Sequence, residues 1–193
     1  MKKKEEYSPQ YLLDHNTVLL FGEIDENMAA RVVSQLLYLE AQGAEEIIMQ
    51  IASPGGQVSA GWAIYDTMNY VTPPIATVGL GICASMGAFL LAAGTHGKRS
   101  VLPHCEVMIH QPLGRAEGQA SDIMIAADHI RKTRDRLNQV LSENTGQPLE
   151  KIVRDTDRDN TMTAEEALAY GLIDFIIPCT NKAKKEDRLC LIK

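Results

Sequence analysis

At 193 residues, with 45% apolar and 23% charged content, the chain can bury one substantial core, and a single domain over residues 1–193 is expected. A formal charge of −6 gives no reason to expect nucleic-acid binding, and Cys83, Cys105, Cys179 and Cys190 have neither CxxC spacing nor a nearby histidine pattern, which argues against zinc. Lys2-Lys3-Lys4 leads into Glu5-Glu6 rather than an apolar run, so no secretory leader or membrane span is expected, and the plain reading is a cytoplasmic protein with reduced thiols, no metal and no cofactor.

Residues 1–15 are polar and aperiodic, which predicts a mobile or partner-dependent N-terminal segment (1–16). Thr17 to Phe21 predicts a short strand. Asp25 can cap a helix whose apolar positions Met28, Val32, Val33, Leu36 and Leu37 follow the helical period until Gly43 stops it. Glu46 to Ala52 predicts the next strand, ended by Ser53-Pro54-Gly55-Gly56. A helix with Val58, Trp62, Tyr65 and Met68 on one face follows, and Pro73-Pro74 separates it from a buried strand at 75–80. A tight glycine turn at Gly81 then leads to Ser85, which sits among small residues at the start of an apolar helical run ending at Gly94. Strands alternating with helices at this spacing imply an α/β domain with a largely parallel sheet.

Short strands are expected around Arg99–Leu102 and Glu106–Ile109, followed by a flexible polar piece from Gly114 to Gly118 with Arg115 and Glu117 exposed. Ser121 or Asp122 can start a helix to about Glu143, striped by Ile123, Ala127, Ile130, Leu137 and Leu141. At roughly 20 residues and ~30 Å it is long for so small a domain, and its stripe is expected to meet a partner subunit. Residues 155–160 read as a dense charged loop. Thr163 to Glu166 matches a capping box opening a helix to Tyr170, Leu172 to Ile177 reads as a last strand, and the tail 181–193 as solvated.

Ser85 stands where unpaired helix N–H groups favour developing negative charge. His110 lies at a strand-to-loop junction, and the 155–159 loop is acidic. A serine nucleophile needs a base, and the base needs a carboxylate to hold its tautomer. Ser53 to Gly56 leaves bare backbone at a strand end, where donors for an oxyanion could sit. Each feature also has a plain structural reading: close helix packing, a satisfied histidine, a solvated acidic turn and a helix entry that needs glycine. His104 and His129 are weaker bases. No P-loop follows the glycines, Cys83 breaks a GxSxG elbow, and the order Ser, His, Asp differs from that of α/β-hydrolases.

Four motifs then occur in order: Ser-Pro-Gly-Gly at 53–56, Ala-Ser-Met-Gly-Ala-Phe-Leu-Leu-Ala-Ala-Gly at 84–94, Val-Met-Ile-His-Gln-Pro at 107–112 and Arg-Asp-Thr-Asp-Arg-Asp at 154–159. Together they resemble the proteolytic-subunit family of the ATP-dependent Clp protease, from about Thr17 to Ile177. The resemblance implies a crotonase-like ββα superhelix with a protruding handle (a strand plus a long helix, 113–145). It implies a serine endopeptidase that cleaves unfolded proteins through an acyl-enzyme, without a cofactor. By the same resemblance Ser85 is the nucleophile, His110 the base and Asp159 the triad carboxylate, with Asp155 and Asp157 as lesser choices. The N–H groups of Gly56 and Met86 form the oxyanion hole, and Asp157 and Arg158 link ring assembly to an ordered triad. The segment 113–119 would pair with extended substrate. Two stacked heptamers, homomeric or mixed with a paralogue, would work with an AAA+ unfoldase, away from membrane and nucleic acid.

Several positions depart from the pattern. The segment before Thr17 is short and lacks the family's usual opening, and Gln50 stands where an aromatic commonly lines the unfoldase-docking pocket. Arg115 replaces a glycine and Thr161 a phenylalanine. Two other readings are set beside the peptidase: a paralogous subunit that acts structurally within a mixed ring, and an acyl-CoA enzyme of the same fold. Cys83 reads as a small buried filler rather than a redox switch.

Overall fold

The computed structural model describes residues 9–178, so Cys179, Cys190, the tail 181–193 and the first eight residues lie outside it. Pro9–Leu13 forms a short helix, α1, where the aperiodic sequence predicted none. Strands β1 (Thr17–Phe21) and β2 (Ile47–Ser53) pair in parallel, with Thr17 opposite Ile48 and Phe21 opposite Ala52. The helix between them, α2 (Glu26–Ala41), starts where the Asp25 carboxylate accepts the Met28 N–H at 2.7 Å and stops before Gly43 at φ +76°. Val32, Leu36 and Leu39 are buried beneath it, whereas Leu37, expected on the same face, turns outward.

Alternation along the strands sorts their residues between two faces. Ile47, Met49 and Ile51 are fully buried. Ile48 and Gln50, together with Val78 and Leu80 of β3 (Ile75–Ala84), line an open cavity of about 450 Å³ on the opposite face. Helix α3 (Val58–Tyr70) connects β2 to β3 and packs against α2. Helix α4 (Met86–Ala92) has every residue buried and lies against β3. An aromatic cluster joins α3 to α4, with ring centroids of Trp62 and Phe89 5.2 Å apart and those of Tyr65 and Phe89 5.3 Å apart.

The strand expected at 75–80 runs on to Ala84, because it serves two neighbours in turn. Thr77 to Gly79 pair with β4 (Arg99–Val101), and Ile82 to Ala84 pair with β5 (Glu106–Ile109). Its register against β2 slips between these halves, so that Ile51 faces Gly79 but Ser53 faces Cys83. Gly81, at φ +65°, takes the left-handed conformation at that bulge, so the glycine bends a continuing strand rather than ending it. Beyond β4 lies β7, which is only Phe175–Ile176 and shorter than the strand predicted over 172–177.

Residues 110–117 carry no regular structure in the single chain, so the strand half of the expected handle is unpaired. The long helix α5 (Ala120–Thr145) starts after Gln119 without a side-chain cap, just before the predicted Ser121 or Asp122. Its 26 residues span about 39 Å at 1.5 Å per residue. Only Leu137, Asn138 and Leu141 are buried, so the stripe splits: Leu137 and Leu141 reach the core while Ile123 and Ala127 face solvent. Helix α6 (Leu149–Asp155) absorbs the first residue of the predicted charged loop. Strand β6 (Asn160–Met162) and helix α7 (Ala164–Tyr170) follow, the latter opened by the expected Thr163–Glu166 capping box.

One ion pair ties the far end together. Buried Arg99 holds Asp174 through Nη2–Oδ1 at 2.6 Å and Nε–Oδ2 at 3.0 Å. Its Nη1 donates to the carbonyls of Ala92 and Asn144 near the C-terminal ends of α4 and α5, where a cation meets the negative ends of the dipoles. Burial raises the Asp174 carboxyl, but the hydrogen bonds and charge of Arg99 outweigh it and hold the group below the ordinary value.

Candidate active site

Strand β5 gathers the three side chains of interest. Its parallel register sets Met108 beside Ala84, and the Met108 carbonyl accepts the Ser85 N–H at 2.8 Å. Its antiparallel register with β6 sets Ile109 opposite Asn160, so the next pair outward is His110 and Asp159. The His110 Nδ1 stands 3.1 Å from Asp159 Oδ1. The histidine side chain is 15% exposed and the aspartate 75%, so the pair sits at a cleft mouth with the ring on the inner side. One strand thus brings together positions 25 and 49 residues apart.

Ser85 lies between β3 and α4 with φ +54° and ψ −121°, a conformation that costs an L-residue on the order of 1–3 kcal/mol. The bond to Met108 on one side and the fully buried α4 on the other hold it there. Its hydroxyl caps nothing, and it shares a narrow cleft with His110, Met86, Val58 and Pro112. No hydrogen bond joins Ser85 Oγ to the histidine among the described residues.

The Ser53 to Gly56 turn packs directly against this serine. The Ser53 hydroxyl, fully buried, accepts the Gly55 N–H at 3.0 Å. A β-carbon on Gly56 would fall 2.2 Å from the Ile24 carbonyl oxygen, which itself accepts the Gln57 N–H. Bare backbone is therefore required here. Gly56 and Met86 stand at the two polypeptide segments flanking Ser85, and Met86 is the first residue of α4, whose N–H has no acceptor within the helix.

The remaining candidates fall elsewhere. Asp155 ends α6 and is engaged by Lys151 at 2.5 Å and by the Tyr170 hydroxyl at 3.0 Å. Burial raises it, but those partners prevail and its carboxyl lies below the ordinary value; burial first, and then the same bond, push the Tyr170 hydroxyl up. The Asp157 carbonyl accepts from the Gln111 side chain at 2.8 Å, and its carboxylate is 3.8 Å from Arg158, whose side chain is exposed. His104 is exposed, and His129 lines a separate cavity between α3 and α5. Arg115 meets Glu117 at 3.6 Å on the open segment, and Thr161 is exposed on β6. Cys83 is buried with its sulfur 3.9 Å from that of Cys105. Asn138 had no sequence signal, and Gln111 and Thr156 entered only as members of the 107–112 and 154–159 motifs with no role of their own; the polar groups of the three are joined through contacts distant in the chain.

A mixed sheet in which one strand passes from β4 to β5, with buried α4 rising from the transfer point, defines the crotonase-like α/β class. A family model described as Clp protease matches residues 2–180, and the chain belongs to that family. The family consists of serine peptidases that work with AAA+ ATPases as self-compartmentalised oligomers. No described helix is long and apolar enough to cross a membrane.

Proposed function

We propose that this chain is the serine endopeptidase subunit of a self-compartmentalised, ATP-dependent protease, with Ser85, His110 and Asp159 as its triad. The observation that carries the reading is the 3.1 Å contact of His110 with Asp159 across the cleft mouth from a serine held in a strained turn at a helix start. Asp159 accepts the Nδ1–H and leaves Nε2 free to take the Ser85 proton as Oγ attacks the scissile carbonyl. The N–H groups of Gly56 and Met86 receive the oxyanion. Collapse returns the proton from His110 to the leaving amine and leaves an acyl-enzyme, which water cleaves by the same route. The Ser85–His110 hydrogen bond closes when substrate or partner subunits are engaged, as catalytic contacts commonly do.

The single domain spans 1–193, with its handle over 113–145. The exposed outer half of α5, with Met124 and Ile125 about 70% accessible, supports assembly of two stacked heptamers through the handle. Asp157 and Arg158, beside Asp159, link that assembly to triad order. The open cavity lined by Gln50, Ile48, Val78 and Phe175 supports docking of an AAA+ unfoldase that delivers unfolded chains in the cytoplasm. Gln50 makes this wall more polar than an aromatic would. Peptide hydrolysis measured beside native mass on one sample tests the reading: cleavage by a particle of about fourteen chains is expected. An assembled particle without cleavage would instead favour the structural, mixed-ring role.

A further inference from the structure

We infer that Asn138 is a positioning residue for the proposed triad, acting through Thr156; this rests on the peptidase reading above. Asn138 is 2% exposed on α5, next to Leu137, which lines the Ser85–His110 cleft. Its side-chain oxygen lies 3.2 Å from the Thr156 hydroxyl, and its Nδ2 has no partner among the described residues. A threonine hydroxyl has one proton, and here the Ile152 carbonyl, which can only accept, takes it at 2.8 Å. What Thr156 Oγ offers Asn138 is therefore a lone pair. Turning the amide by half a revolution presents its NH₂ to that lone pair and removes a buried orphan donor, leaving a less costly carbonyl in its place.

Thr156, 1% exposed, is the pivot between base and acid. Its carbonyl accepts the Gln111 N–H at 2.6 Å, one residue beyond His110. Asp159 follows three residues later, and Gln111 returns to the same loop through the Asp157 carbonyl at 2.8 Å. Asn138 thus holds the side chain of the residue whose carbonyl ties the exit of β5 to the end of α6. Loosening it lets His110 and Asp159 drift apart with neither residue altered, which would slow chemistry without weakening substrate binding.

The test is a mutant cycle on the full-length assembled protein, using Asn138→Ala, Asn138→Asp (same shape, no donor), Thr156→Val and the pair Asn138→Ala/Thr156→Val. Steady-state hydrolysis of a fluorogenic peptide, native mass and thermal unfolding are read together. The expectation is a fall in kcat of about 10- to 100-fold with KM unchanged, as for misplacement of catalytic groups by up to about 1 Å. The double variant should be no worse than the poorer single one, and Thr156→Ser should recover most of the rate. Wild-type kcat in Asn138→Asp, additive losses, or losses matched by the folded or assembled fraction would overturn the assignment. A wild-type particle without hydrolysis would overturn it together with the peptidase reading, which the variants alone cannot do.

Discussion

Gly55 presses so closely on Ser85 that a β-carbon at position 55 would lie 2.6 Å from the serine's own β-carbon and 2.9 Å from the Ala84 carbonyl oxygen. One of these atoms is backbone and the other is a β-carbon fixed to it, so neither can yield cheaply. Because φ of Gly55 is +98°, an alanine there is also conformationally strained. Gly55→Ala is expected to lower stability by about 1–3 kcal/mol. It should also cut kcat/KM by at least about 10-fold, since the turn and the serine must move together. Thermal unfolding and peptide hydrolysis check both.

Asp159 and Asp155 separate the acid of the proposed triad from an acid that braces the fold. Asp159→Asn keeps the shape but lets His110 settle in the wrong tautomer, and kcat is expected to fall by about 10³- to 10⁴-fold with little change in melting temperature. Asp155→Asn removes the charge that pairs with Lys151 and weakens the bond accepted from the Tyr170 hydroxyl. It should lower the melting temperature while the folded protein keeps kcat within a few-fold of wild type.

Stability should fall in acid through Asp174 and Asp155, whose native carboxyls both lie below their ordinary value. The unfolded chain titrates near 3.9 and binds more protons in that window, so the stabilisation is complete above it and is lost as pH falls through the lower native values. Melting temperature is expected to be level from pH 7 to about 5 and to drop below about 4. Asp174→Asn, which strands buried Arg99, should cost about 3 kcal/mol at neutral pH and flatten part of that acid slope.

Much of the fold was legible where one chain segment sufficed. The Asp25 cap and the Thr163–Glu166 box are local signals that formed as read, and the strand expected over Glu46–Ala52 formed one residue later, as Ile47–Ser53. The extension of β3 to Ala84 was not, because a strand that changes neighbours at a bulge depends on β4 and β5 rather than on its own pattern. Leu149 to Asp155 hid as a helix since only Ile152 is buried, too little for a period to show. Ser85, His110 and Asp159 could be named from motifs, whereas the β5 register that sets His110 against Asp159 arises from pairing with β6, some fifty residues on, which no local pattern encodes. Asn138 was silent: a buried asparagine on a polar helix looks like any surface one.

The outer half of α5 exposes Ile123, Met124 and Ile125 on a helix whose buried residues begin at Leu137. Met124→Glu/Ile125→Glu is expected to leave the melting of the isolated chain within about 0.5 kcal/mol, as surface changes usually do. Native mass should shift from the full particle to single rings or smaller species, and peptide hydrolysis should fall with it.

The most direct measurement is active-site labelling of the assembled protein with a fluorophosphonate, followed by peptide mapping. The account predicts one adduct per chain, located on Ser85, absent in Ser85→Ala and slowed strongly in His110→Ala and Asp159→Asn. An adduct on another residue, or an assembled wild-type particle that takes up no label, would contradict it.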